Sequence, residues 1–147
     1  MKFLSYSSKE TKKIAKDLAE KLLKQPLEKS ALIIALNGDL GSGKTTFVQG
    51  FLKAAGVKKR ITSPTFVLMK RFEIKNKIFK NIYHIDCYRL EKPEMILKLD
   101  FKEITGNPEN IILIEWPEKI EKVLPKKIKK INFEHGKKHN ERGIIIF

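Results

Sequence analysis

The sequence of 147 residues has very little cysteine and no long apolar run. Its one cysteine, Cys87, excludes an internal disulfide and a zinc site built from several thiolates. The longest apolar stretch, "ALIIAL", is the length of a strand and falls far short of the roughly 18 residues that a membrane span needs. The first residues, "MKFLSYSSKETKK", lack the cleavage site of a signal peptide. We therefore expect a cytoplasmic protein that has no membrane partner.

Acidic residues are also scarce, because 17 Asp and Glu face 31 Lys and Arg and leave a net charge of +14. Such a surplus favours contact with nucleic acid or another polyanion. The sequence is rich in Lys, Ile and Asn throughout, and a compositional bias of this kind would place lysines on any solvated face. The densest cluster, "PKKIKKINF", would bury Ile128, Ile131 and Phe133 and expose its lysines, as a basic outer strand does. Both interpretations of the charge stay open here.

The length fits a single domain over residues 1–147, and the apolar pattern predicts alternating strands and helices. Ser7 and Glu10 form a capping box before a helix from about Ser8 to Leu23. "ALIIALN" and "NIILIEWPE" are typical of buried parallel strands. "TFVLMKRFEI" and "IFKNIYHIDCYR" predict one antiparallel hairpin, and "KKIKKINFEHG" with "ERGIIIF" predicts a closing hairpin.

The stretch "GDLGSGKTT", residues 38–46, lies between the first buried strand and a predicted helix that Gly56 would end. It matches the P-loop pattern G-x-x-x-x-G-K-[ST], in which glycines let backbone N–H groups point at a phosphate. Lys44 would reach the β- and γ-phosphates, and the Thr45 hydroxyl would bind Mg²⁺. The loop alone indicates ATP or GTP. The predicted nucleotide-binding residues of this loop are Asp39, Leu40, Gly41, Ser42, Gly43, Lys44, Thr45 and Thr46.

A P-loop needs a further acid at the end of a neighbouring strand, to hold the Mg²⁺ shell or to orient the attacking water. Glu115 ends "IILIE", and its carboxylate would emerge at the carboxyl edge of the sheet. Asp86 ends "IYHID", where His84 and Asp86 share one face of the strand by alternation. The alternative for each acid is a strand-end cap or an ion pair. "ITSPTF" contains threonines that could sense a γ-phosphate, and a simple proline turn is an equal alternative.

Two other P-loop classes fit the sequence less well. A guanine-specific enzyme usually carries N-K-x-D, whereas the nearest string here, "NKIF" at Asn76, lacks the aspartate. A small-molecule kinase needs an acceptor pocket and an arginine-bearing lid, and a chain of this length with few arginines leaves little material for both. ATP is therefore favoured over GTP, and a kinase is the weaker enzyme alternative.

Four motifs, "GDLGSGKTTFVQGF", "SPTF", "HIDCYRL" and "IEWPE", resemble the bacterial TsaE proteins in their order and spacing. The resemblance implies an α/β fold of the P-loop NTPase kind: a three-layer sandwich with a mixed central sheet, helices on both faces and antiparallel hairpins. It also implies an ATPase, with ATP and Mg²⁺ as cofactors, that acts with TsaD and TsaB. That machinery forms threonylcarbamoyladenosine next to the anticodon of tRNA, and a TsaE protein does not itself form the modification.

The resemblance also implies roles for individual residues. Asp86, Lys44 and Thr65 correspond to residues that act in hydrolysis, and Thr65 would lie near the γ-phosphate. Thr45 and Glu115 correspond to the Mg²⁺ contacts. Trp116 corresponds to a tryptophan near the nucleotide or the partner face, with a role as a core anchor as its alternative. Direct contact with tRNA does not follow from the motifs, and a nucleotide-gated adaptor that does not hydrolyse ATP remains the competing class.

Overall fold

The computed structural model describes residues 1–58 and 68–147. The segment "ITSPTF", including Thr65, lies outside the described residues, so its predicted role stays a prediction. The strands are β1 (Lys2–Ser5), β2 (Leu32–Asn37), β3 (Met69–Glu73), β4 (Asn81–Asp86), β5 (Asn110–Glu115), β6 (Lys129–His135) and β7 (Arg142–Ile146). The helices are α1 (Ser8–Leu22), α2 (Lys44–Ala54) and α3 (Phe101–Gly106), with 3₁₀ helices over Pro93–Leu99 and Pro117–Val123.

The seven strands form one mixed sheet in the order β1-β7-β6-β2-β5-β4-β3. Its centre is parallel, because β2 pairs with both β5 and β6 in parallel and β5 also pairs with β4 in parallel. The two predicted hairpins, β3 with β4 and β6 with β7, are antiparallel. All six residues of β5 are buried, as expected for a parallel strand that is covered on both faces.

Helices cover both faces of the sheet, which confirms the predicted three-layer architecture. On one face α1 packs against α2 so closely that a Cβ atom at Gly50 would lie 2.7 Å from the Cα atom of Lys12. On the other face, α3 and the two 3₁₀ helices bury a second apolar cluster that includes Ile96, Phe101 and Ile120. Within the described ranges, no helix combines the length and the hydropathy that a membrane crossing requires.

The lysine-rich strand is not an outer strand, although its sequence pattern would also fit one. β6 lies inside the sheet, with β2 on one side and β7 on the other. Its lysines are nevertheless exposed because they occupy the start of the strand and the segment before it, while Ile131 and Phe133 further along are buried. The outer position on this side belongs to β1, which sequence patterning missed because four residues are too short to show an alternation.

Ser7 caps the start of α1 as predicted, and Glu10 bonds to the residue before the N-cap instead of to the N-cap itself. The Ser7 hydroxyl accepts a hydrogen bond from the backbone N–H of Glu10 at 3.1 Å, and the Glu10 carboxylate accepts one from the backbone N–H of Tyr6 at 2.7 Å. The helix ends at Leu22, one residue before the predicted end. Gly56 follows α2 with φ at 91°, the left-handed conformation predicted for a residue that ends a helix.

Candidate functional site

The candidate site begins in the loop between β2 and α2. Gly41 and Gly43 have φ values of 75° and 105°, which L-residues with side chains rarely adopt. A Cβ atom at either position would meet no atom within 4 Å, so backbone conformation rather than lack of space requires glycine there. Gly43 is the N-cap of α2. The unpaired N–H groups of the first helical turn therefore face the loop, which is the arrangement that binds phosphate at helix starts.

Lys44, the first residue of α2, is only 5% exposed. Its ammonium donates to the carbonyl oxygen of Gly38 and lies 3.5 Å from the centroid of the Trp116 ring. Burial lowers the pKa of Lys44, and the negative charge of Glu115 opposes that shift more than any other carboxylate does. An aromatic ring and a backbone carbonyl thus hold Lys44 in place. Lys44 is the only side chain of residues 38–46 that can neutralise a phosphate.

A row of three hydrogen-bonded side chains runs from α2 into the sheet. The Thr45 hydroxyl donates to Oε1 of Glu115 at 3.0 Å, and Oε2 of Glu115 lies 2.6 Å from Nε2 of His84. Because an ionised carboxylate can only accept, His84 donates from Nε2. His84 is fully buried and the Glu115 side chain is 3% exposed, while Nδ1 of His84 has no hydrogen-bond partner among the described residues. The row fixes both oxygens of Glu115.

Asp86 lies beside Glu115 because the two residues are register partners at the ends of β4 and β5. Neighbouring parallel strands are about 4.8 Å apart, so the two carboxylates emerge side by side at the carboxyl edge of the sheet. Asp86 is half-buried, and its Oδ1 accepts a hydrogen bond from the backbone N–H of Tyr88 at 3.1 Å. The structure therefore brings together the two acids that were predicted separately from strand ends.

Trp116 follows Glu115 directly and has φ at 58°. The left-handed region is unfavourable for a bulky residue, by about 1–2 kcal/mol. This conformation lets the half-buried ring lie over Lys44 and against Tyr88, whose ring centroid is 5.1 Å away. A strained backbone and a cation–π contact thus hold Trp116 beside the P-loop lysine, and the spacing of residues does not reveal either feature.

These groups line one cavity of about 490 Å³, within the range of small-molecule pockets. Of the residues predicted for the site, the wall contains Leu40, Gly41, Gly43, Lys44, Thr45, Thr46, Asp86, Glu115 and Trp116, together with Arg89. Asp39 and Ser42 are not among the described residues of the wall. Asp39 is exposed, and Ser42 is buried with its hydroxyl against Gly38.

Sequence reasoning missed two further segments that line the cavity. Ser7, Ser8 and Thr11 come from the start of α1, and His139, Asn140 and Arg142 come from the β6–β7 connection and the start of β7. They lie far from the P-loop in the sequence and form no recognisable spacing with it. Only the pairing of β7 beside β6, and of β1 beside β7, brings them to this end of the sheet.

The residues of this cavity fit phosphate groups and Mg²⁺. A hydroxyl and a carboxylate, the Thr45 and Glu115 oxygens, are the hard oxygen ligands that Mg²⁺ prefers, and Mg²⁺ usually takes one or two such groups besides phosphates. The start of α2, which lines the cavity, and the Lys44 ammonium supply donors and positive charge for the phosphates.

Comparisons with known proteins agree with these features. The model of the family "Threonylcarbamoyl adenosine biosynthesis protein TsaE" matches residues 5–144. The chain is 41% identical over 125 residues to the tRNA threonylcarbamoyladenosine biosynthesis protein TsaE of Haemophilus influenzae, covering 84% of this chain and 75% of the relative. It is 36% identical over 125 residues to the protein of that name from Bacillus subtilis, covering 85% of this chain and 72% of the relative.

The fold has a solved counterpart as well. The crystal structure of YdiB from Bacillus subtilis superimposes with a TM-score of 0.73 at 30% sequence identity, covering 99% of this chain and 83% of that one. The resemblance in the four motifs is thereby confirmed at the level of the whole chain. The chain belongs to the TsaE family, whose members are named for the biosynthesis of threonylcarbamoyladenosine in tRNA.

Proposed function

We propose that this chain binds ATP with Mg²⁺ and hydrolyses it, as the ATP-consuming component of tRNA threonylcarbamoyladenosine biosynthesis. The observation that carries the proposal is the row formed by Thr45, Glu115 and His84 at the P-loop, with Asp86 in register beside Glu115. A simple Gly-rich turn between strand and helix would not need a buried carboxylate that is fixed at both oxygens.

The binding of the phosphates is assigned to the start of α2. The N–H groups of its first turn would donate to phosphate oxygens, and the Lys44 ammonium would exchange its contact with Gly38 for the β- and γ-phosphates. Because a dianionic ligand attracts the ammonium more strongly than one carbonyl does, this exchange favours the bound state. Bound Mg²⁺ would neutralise charge on the same two phosphates.

The two acids have different surroundings, and we assign them different roles. Glu115 is buried and both of its oxygens accept hydrogen bonds, which suits a fixed contact for Mg²⁺ together with Thr45. Asp86 is half-buried in the cavity wall, which suits a carboxylate that orients the attacking water and accepts its proton. Thr65, predicted to contact the γ-phosphate, completes the proposed set of catalytic residues.

The proposed partners are TsaD and TsaB, with tRNA as the substrate of their complex. Membership in the TsaE family and the four family motifs support this assignment. The cavity, of about 490 Å³, is the size of a site for one small molecule. We therefore propose that the modification is formed on the partners and that ATP hydrolysis here supports them.

The test compares three variants for nucleotide affinity and for release of inorganic phosphate, with and without TsaD and TsaB. Glu115→Gln should weaken the Mg²⁺-dependent part of ATP binding, whereas Asp86→Asn should bind ATP and lose turnover. Glu73→Gln is the matched control, because Glu73 also ends a strand but is exposed at the opposite edge of the sheet.

Two results would decide against the proposal. Phosphate release at background level, even with both partners present, would favour the nucleotide-gated adaptor. ADP that forms only when a small-molecule acceptor is added, without free phosphate, would favour a kinase. Equal turnover of the Asp86→Asn and Glu73→Gln variants would remove Asp86 from the catalytic residues.

A further inference from the structure

Lysines are concentrated at the edge of the sheet opposite to the candidate site. The central strands β6, β2, β5 and β4 are parallel, so their first residues meet at one edge, which we call the amino edge. Four segments form it: residues 24–30, 73–80, 107–110 and 126–130. Together they contain nine lysines and three glutamates, and thus six of the fourteen surplus positive charges of the chain.

The four segments are joined by hydrogen bonds into one continuous surface. The side chain of Asn76 donates to the backbone after α1, and the backbone N–H of Lys80 donates to the carbonyl of Glu109 at 2.9 Å. The Lys127 ammonium donates to the Glu28 carboxylate across the loop before β2. All nine lysines of the amino edge are exposed.

Two of the three glutamates of the amino edge are paired with a cation. Glu28 accepts a hydrogen bond from Lys127, and this contact holds the pKa of Glu28 below its usual range. Glu73 forms an ion pair with Arg71 at 3.1 Å. The acidic groups at this edge therefore do little to offset the remaining lysines.

The amino edge also contains a groove of about 670 Å³ between the loop before β2 and the start of β6. Its wall contains Lys129 and Lys130, the polar residues Gln25, Ser30 and Asn132, and apolar residues that include Ile33 and Phe79. Lysines interspersed with hydroxyl and amide donors are the groups that contact phosphate oxygens and sugars in nucleic-acid complexes. Four strands at a spacing of about 4.8 Å give an edge of roughly 15 Å, enough for several consecutive phosphates.

We propose that the amino edge binds RNA through its phosphate backbone. Compositional bias alone would spread the surplus charge evenly, whereas the 24 residues of the amino edge, about a sixth of the chain, carry six of its fourteen surplus positive charges. RNA is favoured over other polyanions because the family acts in the biosynthesis of a tRNA modification. The surface lies across the sheet from the ATP site, so it can be tested independently of hydrolysis.

The test measures binding of an unmodified tRNA transcript by fluorescence anisotropy between 50 and 200 mM salt, using the full chain. The first variant replaces four exposed lysines of the amino edge by glutamine. The control removes the same charge from the exposed face of α1, where glutamine has nearly the same helix propensity as lysine. The amino-edge variant changes Lys29, Lys77, Lys129 and Lys130, and the α1 variant changes Lys9, Lys13, Lys16 and Lys21.

We expect the amino-edge variant to bind the transcript about tenfold or more weakly than the unchanged chain at 200 mM salt. The slope of log binding constant against log salt concentration should become shallower by about two to four. For the α1 variant, that slope should change by less than about one. Both variants should hydrolyse ATP as the unchanged chain does. Equal losses in the two variants, or no binding of the transcript at 50 mM salt, would overturn the proposal. Tighter, amino-edge-dependent binding to phosphatidylserine vesicles than to the transcript would also overturn it.

Discussion

His84 offers the sharpest test of how the sheet supports the proposed metal contact. Its Nε2 lies 2.6 Å from Oε2 of Glu115 in a fully buried setting, and its Nδ1 has no hydrogen-bond partner among the described residues. Replacement by glutamine keeps an N–H donor about as far along the side chain as Nε2. Replacement by asparagine places the same amide about as far as Nδ1, where it cannot reach Glu115.

The expected magnitude follows from the burial of this contact. A buried carboxylate that loses a hydrogen bond is destabilised by about 1–3 kcal/mol. Replacing a group that orients a metal ligand typically weakens metal affinity by 10- to 100-fold, which corresponds to about 1.4–2.8 kcal/mol. The two figures agree, so we expect His84→Asn to weaken Mg²⁺-dependent ATP binding by about 10- to 100-fold and His84→Gln to retain most of it.

The assay is calorimetric titration with a non-hydrolysable ATP analogue, with and without Mg²⁺. The affinity for the analogue without Mg²⁺ should be similar in the two variants. His84 contacts Glu115, whereas the Lys44 ammonium is held by the Gly38 carbonyl and does not depend on that contact. Thermal unfolding of each variant provides the folding control. Equal loss of Mg²⁺-dependent affinity in the glutamine and asparagine variants would show that packing, and not the Nε2 donor, supports Glu115.

Three further predictions concern stability and reactivity. Burial lowers the pKa of Lys44 below its usual 10.5, so near that pH the unfolded chain binds more protons than the native chain does. The unfolding free energy of the wild type should therefore rise relative to that of Lys44→Met as the pH increases toward 10.5 in urea titrations. Gly50→Ala should lower the unfolding free energy by about 1–3 kcal/mol in the same assay, because its Cβ atom would lie 2.7 Å from the Cα atom of Lys12. Gly106→Ala is the control and should not lower it, because a Cβ atom there would meet no atom within 4 Å. Burial raises the pKa of the Cys87 thiol to about 12, so iodoacetamide at pH 8 should label it only after unfolding in urea; rapid labelling of the native chain would contradict its burial.

The parts of the site that the sequence predicted depend on local spacing or on strand ends. Gly41, Gly43 and Lys44 are fixed by the pattern of one loop, because left-handed glycines and a helix start are local features. Asp86 and Glu115 were each predicted from a strand end, and only the parallel pairing of β4 with β5 shows that they lie side by side.

The parts that the sequence did not predict depend on contacts between distant segments. The hydrogen bond from Thr45 to Glu115 joins residues 70 positions apart. The order of strands places β6 inside the sheet and brings Arg142 to the cavity, and hydrophobic periodicity contains no information about which strand lies beside which. The left-handed backbone of Trp116 is equally invisible, since nothing in "IEWPE" distinguishes it from an extended residue.

The two edges of the sheet are far enough apart to act as separate electrostatic sites. The parallel strands β2, β4 and β5 have six residues each, so about 20 Å separates their amino and carboxyl ends. At physiological ionic strength the Debye length is about 8 Å, so the field that reaches the carboxyl edge through solvent is largely screened. RNA at the amino edge would therefore have only a weak direct effect on Lys44 or Glu115. If binding of the transcript does alter the ATPase rate, the effect should persist at 200 mM salt whenever RNA is saturating, because only movement of the strands and helices between the edges could transmit it.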